Sequence, residues 1–186
     1  IKPGQPFCFW LGTHEPHRGF EAGVGIRSGK NSAKVNVPPI FPDNDIVRSD
    51  LLDYLVEVEH FDRMVERAIA SLEKTDQLDN TIIVVTSDHG MPFPRAKASL
   101  YDDGSRVPLA IRWPKGIRNP GRTVEALVNL SDLAPTFLDA VGLKVPAMMT
   151  ARSLVDVFVE NVTAKRDAAF IAMERHDGCR KGGKGY

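Results

Sequence analysis

Six residues constrain this chain more than any others: Thr81-Ile-Ile-Val-Val-Thr86, a run in which every side chain is β-branched. Such a run, set between Asp79-Asn80 and Ser87-Asp88-His89-Gly90, predicts a strand covered on both faces, as in a parallel sheet flanked by helices. Phe7 to Leu11, bounded by Pro6 and Gly12, reads as a second buried strand. Val107 to Trp113, with Pro108 near its start, Val124 to Leu130 and Ala168 to Met173 read as further strands. Helical spacing appears between them. Leu51, Leu55, Val58, Phe61, Val65, Ile69 and Leu72 recur every three or four residues, which predicts an amphipathic helix starting at Ser49 or Asp50. Asp53, Glu57, Asp62, Glu66 and Glu73 lie off that stripe and are expected on a solvated face. Ser131-Asp132 caps a shorter helix through Val141, closed by Gly142 and followed by Pro146. Strands alternating with helices predict an α/β fold with a mostly parallel sheet flanked by helices.

Composition excludes several classes of function. The 186 residues carry 24 Lys+Arg against 24 Asp+Glu, and 42% are apolar. This balance suits one sizeable folded domain and lacks the basic excess of a dedicated nucleic-acid binder. No run approaches the roughly 20 apolar residues of a membrane span. Neither nucleic acid nor membrane is therefore expected as a partner. Cys8 and Cys179 form no disulfide framework and have no zinc-site spacing. Ile1 opens the sequence without an initiator Met or signal segment, and the other end is glycine-rich, so both ends read as cut. The expectation is a piece of a longer polypeptide, whose remainder is its first partner.

Open α/β sheets place ligands beyond the carboxyl ends of their strands. The first strand ends in Gly12-Thr-His14-Glu-Pro-His17-Arg18, and residues 12–47 beyond it hold five Gly and four Pro without a sustained period. A loop that long and irregular is usually functional or disordered. The Thr81–Thr86 strand ends in Ser87-Asp88-His89. If the two strands lie side by side, His14, His17, Asp88 and His89 converge in one crevice. An Asp beside a His on a tight turn suits a metal, the carboxylate supplying charge and a hard oxygen and the imidazole a nitrogen. Asp-His-Gly fits a capped turn without metal equally well. Lys97, in a loop with Pro92, Pro94 and Arg95, could set a point charge over a bound anion, or be a solvated loop lysine, as could Arg106 and Arg112. No dinucleotide fingerprint, phosphate-binding loop or nucleophile elbow is present.

With these residues in view, the sequence resembles the sulfatases, a family of the alkaline-phosphatase-like superfold, along almost its whole length. Phe9-Trp10 through His14-Glu-Pro-His17 is similar to the family strand that ends in His-x-Pro-His. Val37-Pro38, Phe41-Pro42-Asp43 and Val47-Arg48 resemble the entry to its long helix. Asn80 through Gly90 is the most specific match, and Leu100-Tyr101, Arg106-Val-Pro108-Leu and Leu130 through Thr136 follow in family order. Met91-Pro-Phe-Pro94 and Ala172-Met-Glu-Arg-His176 look closest to the heparan N-sulfatase (sulfamidase) branch.

The resemblance implies an alkaline-phosphatase/sulfatase-like fold, here incomplete. Residues 1–186 would be the C-terminal part of the catalytic α/β domain, without the N-terminal half that bears the nucleophile or the small C-terminal domain. It also implies a sulfuric ester or sulfamate hydrolase, acting on a sulfated small molecule or glycan through a metal-assisted formylglycine mechanism. Asp88 and His89 would be metal ligands, for Ca2+ by family habit. A nitrogen donor at His89, where Asn is often seen, leaves zinc or manganese open. His14 would bind a sulfate oxygen with His17 beside it, and Lys97 would touch sulfate and nucleophile. His14 and Lys97 are thus the expected catalytic groups. Neither Cys8-Phe-Trp-Leu nor Cys179-Arg-Lys-Gly resembles the formylglycine motif, so that group is expected in the absent half and the isolated piece is expected to be inactive. The family often works in the periplasm, outside the cell or in lysosomes. Two other readings stay open: a phosphohydrolase or phosphotransferase of the same superfold, and a non-catalytic module that binds sulfated glycans.

Overall fold

A computed structural model describes residues 4–159 and 166–173. The chain divides into two compact units, one holding Ile1–Leu78 with Asp88–Val107 and the other Asp79–Ser87 with Pro108–Tyr186. Among the described residues no helix is long and apolar enough to cross a membrane.

The first unit is built on one long helix. A short helix α1 (Val24–Arg27) and a 3-10 turn (Ser32–Lys34) precede helix α2, which runs Asp45–Glu73. It starts earlier than the apolar stripe predicts because its first turn, with Ile46 81% exposed, lies off the stripe and is set by a cap. Extended Asn44 accepts from the Val47 N–H at 3.0 Å, and Asp45 meets the helix dipole. Arg48 then ties the helix start to what precedes it, donating to both Asp43 carboxylate oxygens and to the carbonyls of Ser32 and Val35. That hydrogen bonding holds the Asp43 carboxyl below its usual range.

Asp53 corrects one expectation. Rather than facing water, it is 4% exposed and accepts from Gly23 N at 2.7 Å and Gly25 N at 2.8 Å. Gly25 packs so close to Leu52 that a Cβ there would lie 2.6 Å from the Leu52 carbonyl carbon. A helix of four residues cannot sustain itself. The Asp53 carboxylate supplies the acceptor that its first N–H groups lack. An aromatic cluster of Phe20, Phe41, Tyr54 and Phe93 completes this unit, with Tyr54 edge-on to Phe93 at 5.7 Å. Burial there pushes the Tyr54 hydroxyl pKa up. Helix α3 (Asp102–Ser105) closes the unit.

The second unit holds strands β1 (Ile83–Thr86) and β2 (Leu109–Arg112), with helices α4 (Leu133–Ala140) and α5 (Val155–Val159). Leu154, Val157 and Phe158 form its core, against which Leu109, Ile111 and Trp113 pack. Gly142, at φ 72, ends α4 as its position after the last apolar turn predicts.

The α/β class is as expected, with a small sheet and flanking helices, but its two strands pair antiparallel, Ile83 opposite Arg112 and Thr86 opposite Leu109. A parallel pair needs a crossover element that packs on the sheet, and residues 87–108 offer only the four-residue α3. Three predicted strands are not strands here. Phe7–Leu11 is irregular, with Phe9 77% and Trp10 88% exposed. An apolar run fixes a demand for burial but not a partner, and no described backbone pairs with it. Residues 124–129 and 168–173 are likewise irregular, Leu130 opening a 3-10 turn, and one link joins them nearby, Leu127 N to Arg166 O at 3.1 Å, where a ladder would need several.

Candidate functional site

All five residues singled out by the sequence lie in the first unit, on two segments. The first is a tight turn. His17 N donates to His14 O at 2.9 Å, Thr13 Oγ1 donates to Glu15 O at 2.7 Å, and the Glu15–Pro16 peptide is cis. The rings of His14 and His17 lie 5.2 Å apart, tilted by 34°. Both are exposed.

The second segment is wound around two buried anchors, Phe93 and Ala96. Met91 O accepts from both Phe93 N (2.7 Å) and Lys97 N (3.1 Å), and Ala96 N donates to Phe93 O at 3.2 Å. Arg95 and Ala98, either side of Lys97, hold φ of 64° and 60°, a left-handed conformation that costs side-chain-bearing residues energy. This winding delivers Lys97 to the histidine turn, its Nζ 3.0 Å from His17 Nε2. His17 Nδ1 lies 3.0 Å from Arg18 O, which can only accept, so Nδ1 carries the proton. Nε2 therefore accepts from the Lys97 ammonium. An ammonium has three hydrogens and this bond uses one, so the pair presents a held, oriented cation.

At the head of the second segment, His89 Nδ1 donates to Gly90 O at 2.8 Å. His89 Nε2 lies 3.6 Å from Asp88 Oδ2. That spacing is one that a single divalent ion with bonds of about 2.0–2.5 Å would bridge. Asp88 is 83% exposed at its side chain and accessible to such an ion. Two donors are fewer than the four to eight a zinc or calcium ion takes. Among the described residues no group of three or more His, Cys, Asp or Glu could hold a metal. The donors thus fit part of a metal site, and the predicted residues appear as two sets, His14–His17–Lys97 and Asp88–His89.

The backbone under this segment admits no side chain. Gly90 N donates to Gly104 O at 3.0 Å, and a Cβ on Gly90 would land on the Asp103 carbonyl oxygen. Gly90→Ala is expected to destabilise the protein by about 1–3 kcal/mol, as overpacking does, read as a lower urea midpoint. An unchanged midpoint would mean the segment is free to shift. Arg106 and Arg112 lie in pairs with Asp102 (3.7 Å) and Asp79 (2.8 Å). Arg18 and Asp50, for which the sequence shows no link, join in a bidentate pair.

A family model described as Sulfatase matches residues 1–143. An ulvan-active sulfatase of Formosa agariphila is 33% identical over 165 residues, covering 89% of this chain and 27% of that protein. The human N-sulphoglucosamine sulphohydrolase is 29% identical over 164 residues, covering 77% of this chain and 33% of that one. A solved structure of a protein in complex with its substrate D-glucosamine-2-N,6-O-disulfate aligns with TM-score 0.55 and 37% identity, over 62% of this chain and 25% of that one. The chain thus spans a third or less of the length of the relatives it matches.

Proposed function

This chain belongs to the sulfatase family, and from that premise we propose that it is the later part of the catalytic α/β domain of an enzyme that hydrolyses a sulfate ester or sulfamate on a glucosamine-type sugar. The observation that carries the reading is the Lys97–His17 bond beside His14, a cation aimed by a neutral imidazole. Sulfuryl transfer spreads negative charge over the non-bridging oxygens in the transition state, and preorganised cations placed there are usually the largest catalytic term. Lys97 meets that charge as a point cation and His14 donates to a second oxygen. His17 accepts from Lys97 and so fixes where its remaining hydrogens point. A divalent metal, calcium first and zinc or manganese next, would be held by Asp88 and His89 together with donors from elsewhere in the polypeptide. When bound it would polarise a sulfate oxygen as a Lewis acid. The formylglycine nucleophile of the family belongs, on this reading, to the same larger polypeptide, since neither cysteine here sits in its motif.

The glucosamine assignment is supported by two similarities, to a sulphohydrolase of N-sulphoglucosamine and to a protein bound to a glucosamine disulfate. The complete polypeptide should release sulfate from N-sulfoglucosamine or glucosamine 6-sulfate at least roughly 100-fold faster than it releases phosphate from glucosamine 6-phosphate, a gap of about 2.7 kcal/mol. Faster phosphate release would favour the phosphohydrolase reading. Binding without turnover would favour the glycan-binding module.

A further inference from the structure

We infer that Arg18 is a positioning residue, the clasp that sets the Lys97 loop against the histidine turn. The inference rests on the reading above, in which Lys97 and His14 face sulfate. Arg18 follows His17 directly, and each of its three guanidinium nitrogens donates within the protein. Nε donates to Pro92 O at 2.8 Å, NH1 to Asp50 Oδ1 at 3.0 Å and NH2 to Asp50 Oδ2 at 2.6 Å. The same group lies over two aromatic rings, 4.7 Å from the centroid of Phe93 and 5.1 Å from that of Phe20. Three segments meet there: the turn that carries His14 and His17, helix α2 through Asp50, and the loop that carries Lys97 through Pro92 and Phe93.

This geometry asks for arginine and not merely for a positive charge. Only a planar fork can grip a carboxylate with two parallel bonds, spend its third nitrogen on a carbonyl and offer its faces to rings. A lysine would keep the charge and lose all three. Because each guanidinium nitrogen already donates within the protein and two rings lie against the same group, its geometry suits holding these segments together. The side chains of the pair are part-exposed at 44% and 36%, so the clasp adds little to global stability. What it fixes is register: His17 and Pro92 flank the path from Arg18 to the His17–Lys97 bond. A misplacement of about 1 Å in such a group can cost on the order of 100-fold in rate.

The test uses the complete polypeptide with N-sulfoglucosamine as substrate, and compares Arg18→Lys, Arg18→Ala and the surface control Arg106→Lys. Arg18→Lys is expected to lower kcat by roughly 10–100-fold, with little change in KM or melting temperature. Arg18→Ala should regain part of its kcat when guanidinium is added, while Arg106→Lys should behave as wild type. Wild-type kcat in Arg18→Lys overturns the inference, and so does a rise in KM at unchanged kcat, which would place Arg18 on the substrate. A second readout needs no turnover. The 15N shift of His17 Nε2 reports the hydrogen bond from Lys97, and Arg18→Lys should move it toward that of an imidazole without that donor. Retention of the wild-type shift overturns the clasp even if the unmodified protein proves inactive on sulfated sugars, a result that would instead count against the sulfatase reading.

Discussion

Alanine at Asp88 is expected to abolish metal binding and to lower sulfate release by the complete polypeptide by at least roughly 100- to 1,000-fold, the scale seen when one preorganised electrostatic group is removed from a reacting oxyanion. The reason is local. Asp88 is exposed, with His89 Nε2 3.6 Å from its carboxylate, so its charge is placed for something outside the fold. A fold that does not lean on Asp88 should survive its loss. The unliganded melting temperature should therefore hold, while the stabilisation given by calcium disappears. That stabilisation amounts to about 2.7 kcal/mol at a metal concentration 100 times the dissociation constant. Full activity of Asp88→Ala, with a retained calcium shift, would remove Asp88 from the metal site and leave the Asp-His-Gly sequence as a capped turn.

The largest expected loss of stability lies in the other unit. Asp132 is 7% exposed and accepts from Asn129 N at 3.1 Å, from Arg152 N at 3.0 Å and from Arg166 NH1 at 3.0 Å. Arg166 is 5% exposed at its side chain and also donates to Ser153 O and to Asp156. Thr136 continues the network, donating to Asp132 O at 2.5 Å and accepting from Leu154 N at 2.8 Å. Asp132→Ala leaves a buried guanidinium without its principal carboxylate and should cost about 3–5 kcal/mol in urea unfolding. Replacing both partners, as Asp132→Leu with Arg166→Met, should recover much of that loss, because it removes the uncompensated charge as well as the bond. A cost below about 1 kcal/mol for Asp132→Ala, the range of an exposed pair, would mean that water reaches Arg166 freely.

Periodicity and turn chemistry made much of this legible. The β-branched run found β1, the stripe from Leu51 to Leu72 found α2, and Gly142 marked the end of α4. Such signals are local, carried by residues that meet their neighbours along the chain. What failed depended on distant partners. Phe7–Leu11 demands burial, yet nothing in five apolar residues says which strand lies beside them. Asp53 looked like one more acid on a wet helix face, and only the fold brings Gly23 and Gly25 to it. The site divided in the same way. Asp88 and His89 are neighbours in sequence, so their proximity is legible there, whereas Lys97 meeting His17, and Arg18 meeting Asp50, join residues 80 and 32 positions apart. No spacing rule reaches that far in an irregular loop.

If these residues gather sulfate, the position of sulfate itself shows it. A crystal structure of the complete polypeptide with D-glucosamine-2-N,6-O-disulfate should place one sulfate with an oxygen about 3 Å from Lys97 Nζ, hydrogen-bonding distance, and a second near His14. The same structure should hold a metal on Asp88 and His89. Sulfate bound elsewhere, with Lys97 turned only to His17 and no metal at Asp88, would show that these residues do not gather sulfate.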